Sequence, residues 1–362
     1  MNNQIIVNYE NKPAYEILLK PDFSDLSQAL LAMGLEGRKL MIISDSNVAR
    51  YHLNEVAELV REVSALTHTF VFPAGEANKN LDTVNLCYEE LIKSSFDRND
   101  ILIALGGGVV GDLTGFVAAT YLRGIRFIQV PTTLLSMVDS SIGGKTGVDY
   151  KAYKNMVGAF HQPKLVYMNI ASLNTLSEAE YFSGMGEIIK HGLIKDSRYY
   201  AWIKANYDGI VKKDLSTLQD LIYHSCQIKR QVVENDPKEK GERALLNFGH
   251  TIGHSVEKLM NFKLLHGECV CLGMAAAAYL SYKRTYLTQT EYQDILECIS
   301  LFFQPIKVEG LVAEQVYEVT KLDKKMDSTK IRFILLQGIG NSIIDTSVTK
   351  EEMLEAIGEI LL

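Results

Sequence analysis

The sequence has few cysteines and no basic run. Its five cysteines are an odd number without a C-x-x-C pair, so they do not predict a disulfide framework. The formal net charge is −7 and no cluster of lysines and arginines interrupts the chain, which argues against nucleic acid as a partner. These absences favour a protein of the reducing cytoplasm.

Long hydrophobic runs are also missing. The N-terminal residues are polar and lack the apolar core of a signal peptide. The longest apolar run, Cys269–Leu280, is too short to cross a bilayer. We therefore expect a soluble, unexported, cytoplasmic protein with no membrane partner.

What the sequence does contain is enough apolar material for a large core. Hydrophobic residues make up 47% of the sequence, so the chain can bury a large core. A length of 362 residues is more typical of two domains than of one. Strand and helix patterns alternate in the first half, and helical patterns prevail from about Leu173. The predicted fold class is an α/β N-terminal domain with a mostly parallel sheet, Rossmann-like but non-standard, plus an all-α C-terminal domain. We place the two domains at residues 1–172 and 173–362.

A glycine-rich turn follows the predicted strand Asp100–Leu105. Gly106 to Asp112 satisfies the spacing G-x-G-x-x-G, and backbone without side chains can approach a pyrophosphate at a helix N-terminus. The usual first-strand position and the acidic residue about twenty positions later are both missing. We therefore expect a phosphate cradle outside the standard dinucleotide fold.

Asp45 ends another predicted strand, Leu40–Ser44. Ligands gather at the carboxyl ends of parallel strands, so Asp45 is placed to accept from a ribose hydroxyl. It is equally placed to cap a helix predicted at Asn47–Glu62, and the residue alone does not decide between these interpretations.

The stretch from Pro131 to Gly147 ends in Gly144-Lys145-Thr146, like a P-loop. Asp139 stands where that motif requires glycine, so we do not expect hydrolysis of nucleoside triphosphates. A polar, glycine-rich loop with Lys145, followed by Lys154 and Asn155, still favours an anion pocket over a set of solvated surface lysines.

Three of the eight histidines lie close together, at positions 250, 254 and 266. On a helix predicted at Arg243–Met260, Asn247, His250 and His254 stand at i, i+3 and i+7 and share one face. Satisfied core histidines are the ordinary alternative, but imidazoles gathered at one place commonly bind a divalent metal. Glu187, on the predicted helix Glu178–Lys195, is a candidate carboxylate ligand unless it forms an exposed pair with Lys190.

Seven motifs together resemble the 3-dehydroquinate synthase family, in the family's order and over nearly the whole chain. They are Gly75–Lys79, Gly106–Asp112, Pro131–Gly147, Lys154–Pro163, Gly186–Lys190, Asn247–His254 and His266–Glu268. The resemblance implies a lyase of the shikimate pathway, leading to aromatic amino acids, that converts 3-deoxy-D-arabino-heptulosonate 7-phosphate to 3-dehydroquinate and phosphate. The implied route is transient oxidation of the substrate by NAD, phosphate elimination, re-reduction and intramolecular aldol closure.

The same resemblance implies roles for individual residues. A divalent metal, zinc or cobalt, falls on Glu187, His250 and His266, and the catalytic groups on Glu239, His254 and Lys190. NAD contacts fall on Asp45, Glu76, Lys79, Gly107, Gly108, Asp112, Thr132, Thr133, Lys154, Ser172, Leu173, Asn174 and Thr175. Contacts to the sugar phosphate fall on Arg123, Asp139, Lys145, Asn155, Lys190, Lys229, Arg243, Asn247 and either Lys324 or Lys325. Arg123 matches an arginine that reaches the partner subunit, which implies a homodimer.

The sequence departs from the family at two places. His191 stands where the family often has tyrosine, so we do not count it as a ligand, and Asp149–Tyr153 replaces a more usual Asn-His-Pro-Leu-Gly. These departures keep two alternatives open: another sugar-phosphate cyclase, such as 2-deoxy-scyllo-inosose synthase, or a metal-dependent polyol dehydrogenase. A binding protein without catalysis is disfavoured because every expected site residue is present.

Overall fold

The structure is a computed structural model that describes residues 3–151, 153–261, 263–324 and 331–362. The chain divides into two compact units. The first contains Met1–Leu176 and Leu218–Arg230, and the second contains Ser177–Thr217 and Gln231–Leu362. The boundary predicted between residues 172 and 173 lies inside a 3-10 helix, Ile170–Thr175. Leu218–Arg230 belongs to the first unit although the sequence placed it in the second domain, because this part of a long helix packs with the N-terminal residues.

The first unit is built on a seven-stranded sheet and a separate hairpin. The strands are β1 (Gln4–Tyr9), β2 (Lys12–Lys20), β3 (Lys39–Asp45), β4 (Leu66–Phe72), β5 (Ile101–Gly106), β6 (Arg126–Pro131), β7 (Lys145–Tyr150), β8 (Tyr153–Phe160) and β9 (Leu165–Asn169). The hairpin consists of β7 and β8, and the order in the sheet is β1-β2-β9-β6-β5-β3-β4. Every neighbouring pair in the sheet is parallel except β1 and β2. The helices of this unit are α1 (Leu26–Ala32), α2 (Ser46–Val48), α3 (Asn54–Arg61), α4 (Leu81–Lys93) and α5 (Gly108–Thr120).

Hydrophobic cores cover both faces of this sheet, which explains the continuous apolar runs at residues 40–43 of β3 and 101–105 of β5. Met41 and Ile43 point into one core with residues of α4 and α5. Leu40 and Ile42 point into the other with residues of α1 and α3. Strands buried on both sides are characteristic of parallel sheets with helices on each face. The predicted α/β class with a mostly parallel sheet is confirmed.

The second unit is mainly helical, which confirms the helical character predicted for it, but it is not the all-α domain that the sequence predicted. Its helices are α6 (Glu178–Lys195), α7 (Ser197–Ala205), α8 (Tyr207–Val211), α9 (Leu215–Asn235, shared with the first unit), α10 (His250–Leu259), α11 (His266–Lys283), α12 (Gln289–Phe302), α13 (Ala313–Lys324) and α14 (Lys350–Glu359). A short antiparallel pair, β10 (Phe333–Leu336) and β11 (Ser342–Asp345), accompanies them.

Helix α11 lies at the centre of the second unit. It contains the apolar run Cys269–Leu280, and almost every residue of that run is buried against α6, α10, α12 and α14. A helix that is apolar on all sides is a core element. Among the helices of the described residues, none combines the length and the hydropathy needed to cross a membrane.

One local prediction was wrong. The stretch Pro131–Gly147 is not a loop throughout, because Ser136–Ser140 forms a π-helix and Lys145–Tyr150 pairs with Tyr153–Phe160 as a hairpin. The helix predicted at Asn47–Glu62 is present as α2 and α3, joined by a π-helical turn at Ala49–Leu53. Glycine is uncommon in strands, so Gly147 and Gly158 made this hairpin hard to predict from the sequence. In the structure the two glycines are paired, and a Cβ on Gly158 would lie 2.4 Å from the carbonyl oxygen of Thr146.

Candidate active site

Glu187, His250 and His266 come together in the second unit. Oε1 of Glu187 lies 3.5 Å from Nε2 of His250 and 3.6 Å from Nε2 of His266. A tetrahedral zinc ion with bonds of about 2.0–2.2 Å holds its ligand atoms roughly 3.3–3.5 Å apart. These three side chains therefore fit a divalent ion in both donor type and spacing.

The imidazole of His250 is oriented by its own backbone. Nδ1 lies 3.2 Å from the carbonyl oxygen of Phe248, which accepts a hydrogen bond when that nitrogen carries the proton. In that tautomer Nε2 carries the lone pair, and Nε2 is the atom that faces Glu187. The local backbone thus prepares His250 as a metal ligand.

Glycines bring the elements of this cluster together. A Cβ on Gly267 would lie 1.8 Å from the carbonyl oxygen of Ser183, so α6 and α11 approach at backbone distance next to Glu187 and His266. A Cβ on Gly253 of α10 would lie 2.7 Å from the carbonyl oxygen of Cys269 on α11. Glycine at helix interiors costs stability, and here it permits contacts that no other residue allows.

The electrostatics of the cluster favour an ionised carboxylate among imidazoles. Burial raises the pKa of Glu187, but the Lys190 ammonium and the two histidines outweigh burial and hold that pKa well below its usual value. Burial and the charge of Lys190 lower the pKa of His250. Burial also lowers the pKa of His266, but the carboxylates of Glu187 and Glu257 outweigh it and raise that pKa to about 9.

Glu187 and Lys190 are not an exposed surface pair. Their side chains are 0% and 2% exposed, and the Lys190 ammonium contacts Oε2 of Glu187. That contact leaves Oε1 to face the imidazoles. His254 lies one turn after His250 on α10 with its ring centroid 5.0 Å away, and it is exposed where His250 is largely covered. The structure therefore gives the two histidines different surroundings.

Asn247 is not on the same helix as His250 and His254, so that part of the sequence interpretation was wrong. Residues Glu242–Asn247 form a 3-10 helix, and α10 begins only at His250. Gly249 breaks the helix with a φ of 80°, a conformation that glycine adopts without strain. The amide of Asn247 instead donates to Oε1 of Glu239 at 3.0 Å, so these two predicted site residues do meet.

Asp236 organises the loop that carries Glu239 and Arg243, a role that was not predicted from the sequence. Its carboxylate accepts from the backbone N–H groups of Lys240, Gly241 and Arg243 at 2.7–3.1 Å. The guanidinium of Arg243 donates to the carbonyl oxygen of Pro237 at 2.7 Å. An Asp-Pro pair after a helix is a turn motif that would have pointed to this role.

In the first unit, Asp45 and Gly107, two of the predicted NAD contacts, lie at the carboxyl ends of neighbouring parallel strands. The chain runs from β3 to β4 on one side and returns to β5 on the other, so the order switches between β3 and β5. Asp45 ends β3, and Gly107 caps α5 directly after β5. Ligands of open α/β sheets bind at such switch points. Asp45 also accepts from the N–H groups of Asn47 and Val48, so it caps α2 as the alternative interpretation held.

A buried ion pair lies beside this edge. The Lys79 ammonium is 2.7 Å from Oδ2 of Asp112 and 2.6 Å from Oδ1 of Asn155. Burial lowers the pKa of Lys79, but Asp112 and Glu76 outweigh it and raise that pKa, so the lysine is charged. Nζ of Lys154 lies 3.8 Å from Oε1 of Glu76. Asn155, predicted for the substrate, thus lies among residues predicted for NAD.

The remaining predicted residues are spread over both units. Lys229 forms an ion pair with Asp139 within the first unit. Thr132 and Thr133 follow β6, and Ser172 to Thr175 lie in the 3-10 helix after β9. Lys145 is exposed on β7. Lys325 lies outside the described residues, as does the side chain of Lys324.

Comparison with known proteins decides the family. Residues 69–183 match the family "3-dehydroquinate synthase N-terminal", and residues 184–326 match the family "3-dehydroquinate synthase C-terminal". The chain belongs to the 3-dehydroquinate synthase family. The resemblance seen in the sequence is confirmed.

Relatives in this family cover almost the whole chain. A 3-dehydroquinate synthase of Acetivibrio thermocellus is 42% identical and covers 97% of both chains. One from Ruminiclostridium cellulolyticum is also 42% identical, over 94% of this chain and 96% of its own.

Solved structures show the same fold. The 2-epi-5-epi-valiolone synthase ValA from Streptomyces hygroscopicus subsp. jinggangensis 5008, with NAD+ and Zn2+ bound, superposes with a TM-score of 0.86 at 26% identity, over 98% of each chain. A 2-deoxy-scyllo-inosose synthase superposes with a TM-score of 0.88 at 24% identity, over 99% of this chain and 100% of its own. An iron-containing alcohol dehydrogenase shares the fold at a TM-score of 0.67 and 14% identity, over 98% of this chain and 99% of its own.

Proposed function

We propose that this protein is a 3-dehydroquinate synthase, an NAD- and metal-dependent lyase that converts 3-deoxy-D-arabino-heptulosonate 7-phosphate to 3-dehydroquinate and phosphate. The observation that carries the proposal is the cluster of Glu187, His250 and His266, in which the carboxylate is buried, within a chain 42% identical to a 3-dehydroquinate synthase. The conversion comprises transient oxidation, phosphate elimination, re-reduction and intramolecular aldol closure.

Glu187, His250 and His266 would hold the metal, zinc or cobalt. Three protein ligands leave a coordination position for substrate, as catalytic sites require. When bound, NAD removes and later returns a hydride, and the metal ion polarises the oxygen of the alcohol that is oxidised. The zinc and NAD+ of ValA support this assignment.

NAD would bind at the switch point of the first unit. Helix α5 begins at Gly108, directly after β5 and the N-cap Gly107, and a helix N-terminus attracts phosphate. A Cβ on Gly107 would lie 3.1 Å from Cγ2 of Thr133, so side chains are already crowded there. Asp45 would accept a hydrogen bond from a ribose hydroxyl of NAD. Lys79 and Asp112, which form an ion pair with each other, would also contact NAD.

In the second unit, the substrate would contact groups held in place by hydrogen bonds. Asn247 and Glu239 orient each other, and Arg243 is fixed by Asp236 and Pro237. Positioning of this kind supplies much of the barrier reduction when a flexible chain must close into a ring. His254, exposed beside the metal ligands, is suited to moving a proton between substrate and water.

We also infer a homodimer in which Arg123 acts across the interface. Leu122, Arg123 and Gly124 all have positive φ, and Leu122 and Arg123 are exposed. Non-glycine residues held in this conformation cost energy and cluster at functional sites. On β8, Tyr153, Met156 and Phe160 are 45–59% exposed, which is typical of a surface that a partner covers.

The cytoplasm is the compartment we propose. All five cysteines are buried free thiols, as expected of a protein that folds under reducing conditions.

The test is phosphate release with a trace of NAD. Purified protein with zinc, the heptulosonate 7-phosphate and substoichiometric NAD should release phosphate for many turnovers without accumulating NADH. NADH formed in proportion to product would favour the polyol dehydrogenase. Phosphate release from hexose 6-phosphates but not from the heptulosonate would favour another cyclase.

A further inference from the structure

His266 lies between two carboxylates. Its Nε2 is 3.6 Å from Oε1 of Glu187, and its Nδ1 is 3.7 Å from Oε2 of Glu257. The side chain of Glu257 is 7% exposed, so this carboxylate is covered by protein. Nothing in the proposed mechanism uses Glu257.

The packing of α10 on α11 puts Glu257 in this place. The two helices run antiparallel, with Gly249 against Gly273 and Gly253 against Cys269. The next step along this contact places Glu257 opposite His266. A Cβ on Gly273 would lie 1.8 Å from the carbonyl oxygen of Gly249, so the helices touch at their backbones.

We propose that Glu257 is a positioning residue that fixes the tautomer and orientation of His266 for the metal. Its carboxylate accepts from Nδ1–H, which leaves the lone pair on Nε2, the nitrogen that faces Glu187. The two atoms must approach by only about 0.8 Å to form a normal hydrogen bond. Carboxylates that accept from a metal-binding imidazole also raise its basicity as a ligand. The inference rests on the proposed metal site and deepens it.

His250 provides the precedent within the same site. Its Nδ1 faces an acceptor as well, the carbonyl oxygen of Phe248 at 3.2 Å. Each imidazole therefore has one nitrogen directed at Glu187 and the other at an oxygen acceptor. The difference is that the acceptor for His266 carries a full negative charge.

A second metal site is the competing explanation. His254, Glu257 and His266 also offer three ligand atoms within 4.8 Å of one another. Metal ions at both sites would require His266 to bind through both ring nitrogens, which means losing its second proton. A neutral imidazole that donates from Nδ1 and binds through Nε2 avoids that cost.

The experiment measures zinc affinity directly. Zinc is titrated into metal-stripped full-length protein against a chromophoric chelator, and cobalt is used in parallel for its absorption spectrum. Glu257→Leu should weaken zinc binding by about 10–100-fold, the usual effect of losing such an acceptor. Glu257→Gln keeps an uncharged acceptor and should fall between Leu and the wild type. The cobalt spectrum should shift in Glu257→Leu.

The control is Glu352→Gln, which removes a charge from the same unit by breaking the 2.7 Å pair with Arg284. It should leave zinc affinity and the cobalt spectrum unchanged. The proposal would be overturned if both Glu257→Gln and Glu257→Leu kept the zinc affinity and the cobalt spectrum of the wild type. It would also be overturned if the wild-type chain bound two zinc ions and Glu257→Gln bound only one. Phosphate release by the wild type is measured separately, so failure of the proposed reaction is distinguishable from failure of this inference.

Discussion

Gly267 packs against the carbonyl oxygen of Ser183 so closely that a Cβ at position 267 would lie 1.8 Å from that oxygen. The N–H of Gly267 also donates to Oγ of Ser183 at 3.0 Å. This contact joins α11 to α6 beside His266 and Glu187. The spacing of two predicted metal ligands thus depends on the absence of one methyl group.

Gly267→Ala should separate these helices. We expect the free energy of unfolding to fall by about 1–3 kcal/mol, because the backbone of Ser183 cannot move aside as a flexible side chain does. Zinc affinity should fall as well. Gly358→Ala is the matched control, since a Cβ there meets nothing within 4 Å and alanine favours the helix. Equal thermal stability and zinc content in the two variants would contradict the prediction.

His250→Ala and His254→Ala should differ in metal content. His250 faces Glu187, so its loss removes one of three predicted ligands, and the purified protein should carry little zinc. His254→Ala should retain zinc but turn over about 10²–10⁴-fold more slowly, as expected when a proton-transfer group is lost. Elemental analysis beside phosphate release decides the matter. Zinc retained in His250→Ala, or lost in His254→Ala, would overturn the ligand set.

Lys79→Met should destabilise the first unit. It leaves the carboxylate of Asp112 without its cation at a site where Lys79 is 4% exposed. Breaking a buried pair costs up to about 3–5 kcal/mol, less here because the Asp112 side chain is 19% exposed. Urea unfolding measures the change, and Asp112→Asn added to Lys79→Met should recover part of it. Lys93→Met removes a lysine from an exposed pair that water screens, so it should destabilise the protein much less than Lys79→Met.

Mixing two inactive variants tests the shared site. If Arg123 acts in the partner's site, a heterodimer of Arg123→Ala and Lys145→Ala chains has both defects in one site and none in the other. Random exchange of subunits should then restore about a quarter of wild-type activity. Activity equal to the average of the separate variants would argue against donation across the interface.

Lowering the pH should reduce the stability of the fold because His161 is held neutral in the folded protein. Its ring stacks on Phe127 and its Nε2 lies 2.8 Å from the carbonyl oxygen of Ile125, and burial lowers its pKa below 6.5. The unfolded chain therefore takes up a proton first as the pH falls. Stability from this group is complete above about pH 6.5 and is lost progressively below it. The melting temperature should drop less between pH 8 and pH 5.5 in His161→Gln than in the wild type.

The sequence by itself determined the elements and the family. Helical periodicity located α6 to the residue, and it placed Glu187 on a face with Lys190. Seven motifs identified the family. These features are local, because residues within one turn or one strand are neighbours in space whatever the rest of the chain does.

The tertiary structure decided which residues come into contact. The break at Phe248 and Gly249 removed Asn247 from the helix of His250, and the hairpin of β7 and β8 was hidden by glycines. Glu257 became visible only as a neighbour of His266. Its spacing from His250 and His254, at i+7 and i+3, was in the sequence, but its meaning depends on how closely α10 approaches α11. That distance is set by glycine backbones on both helices, and periodicity within one helix carries no information about it.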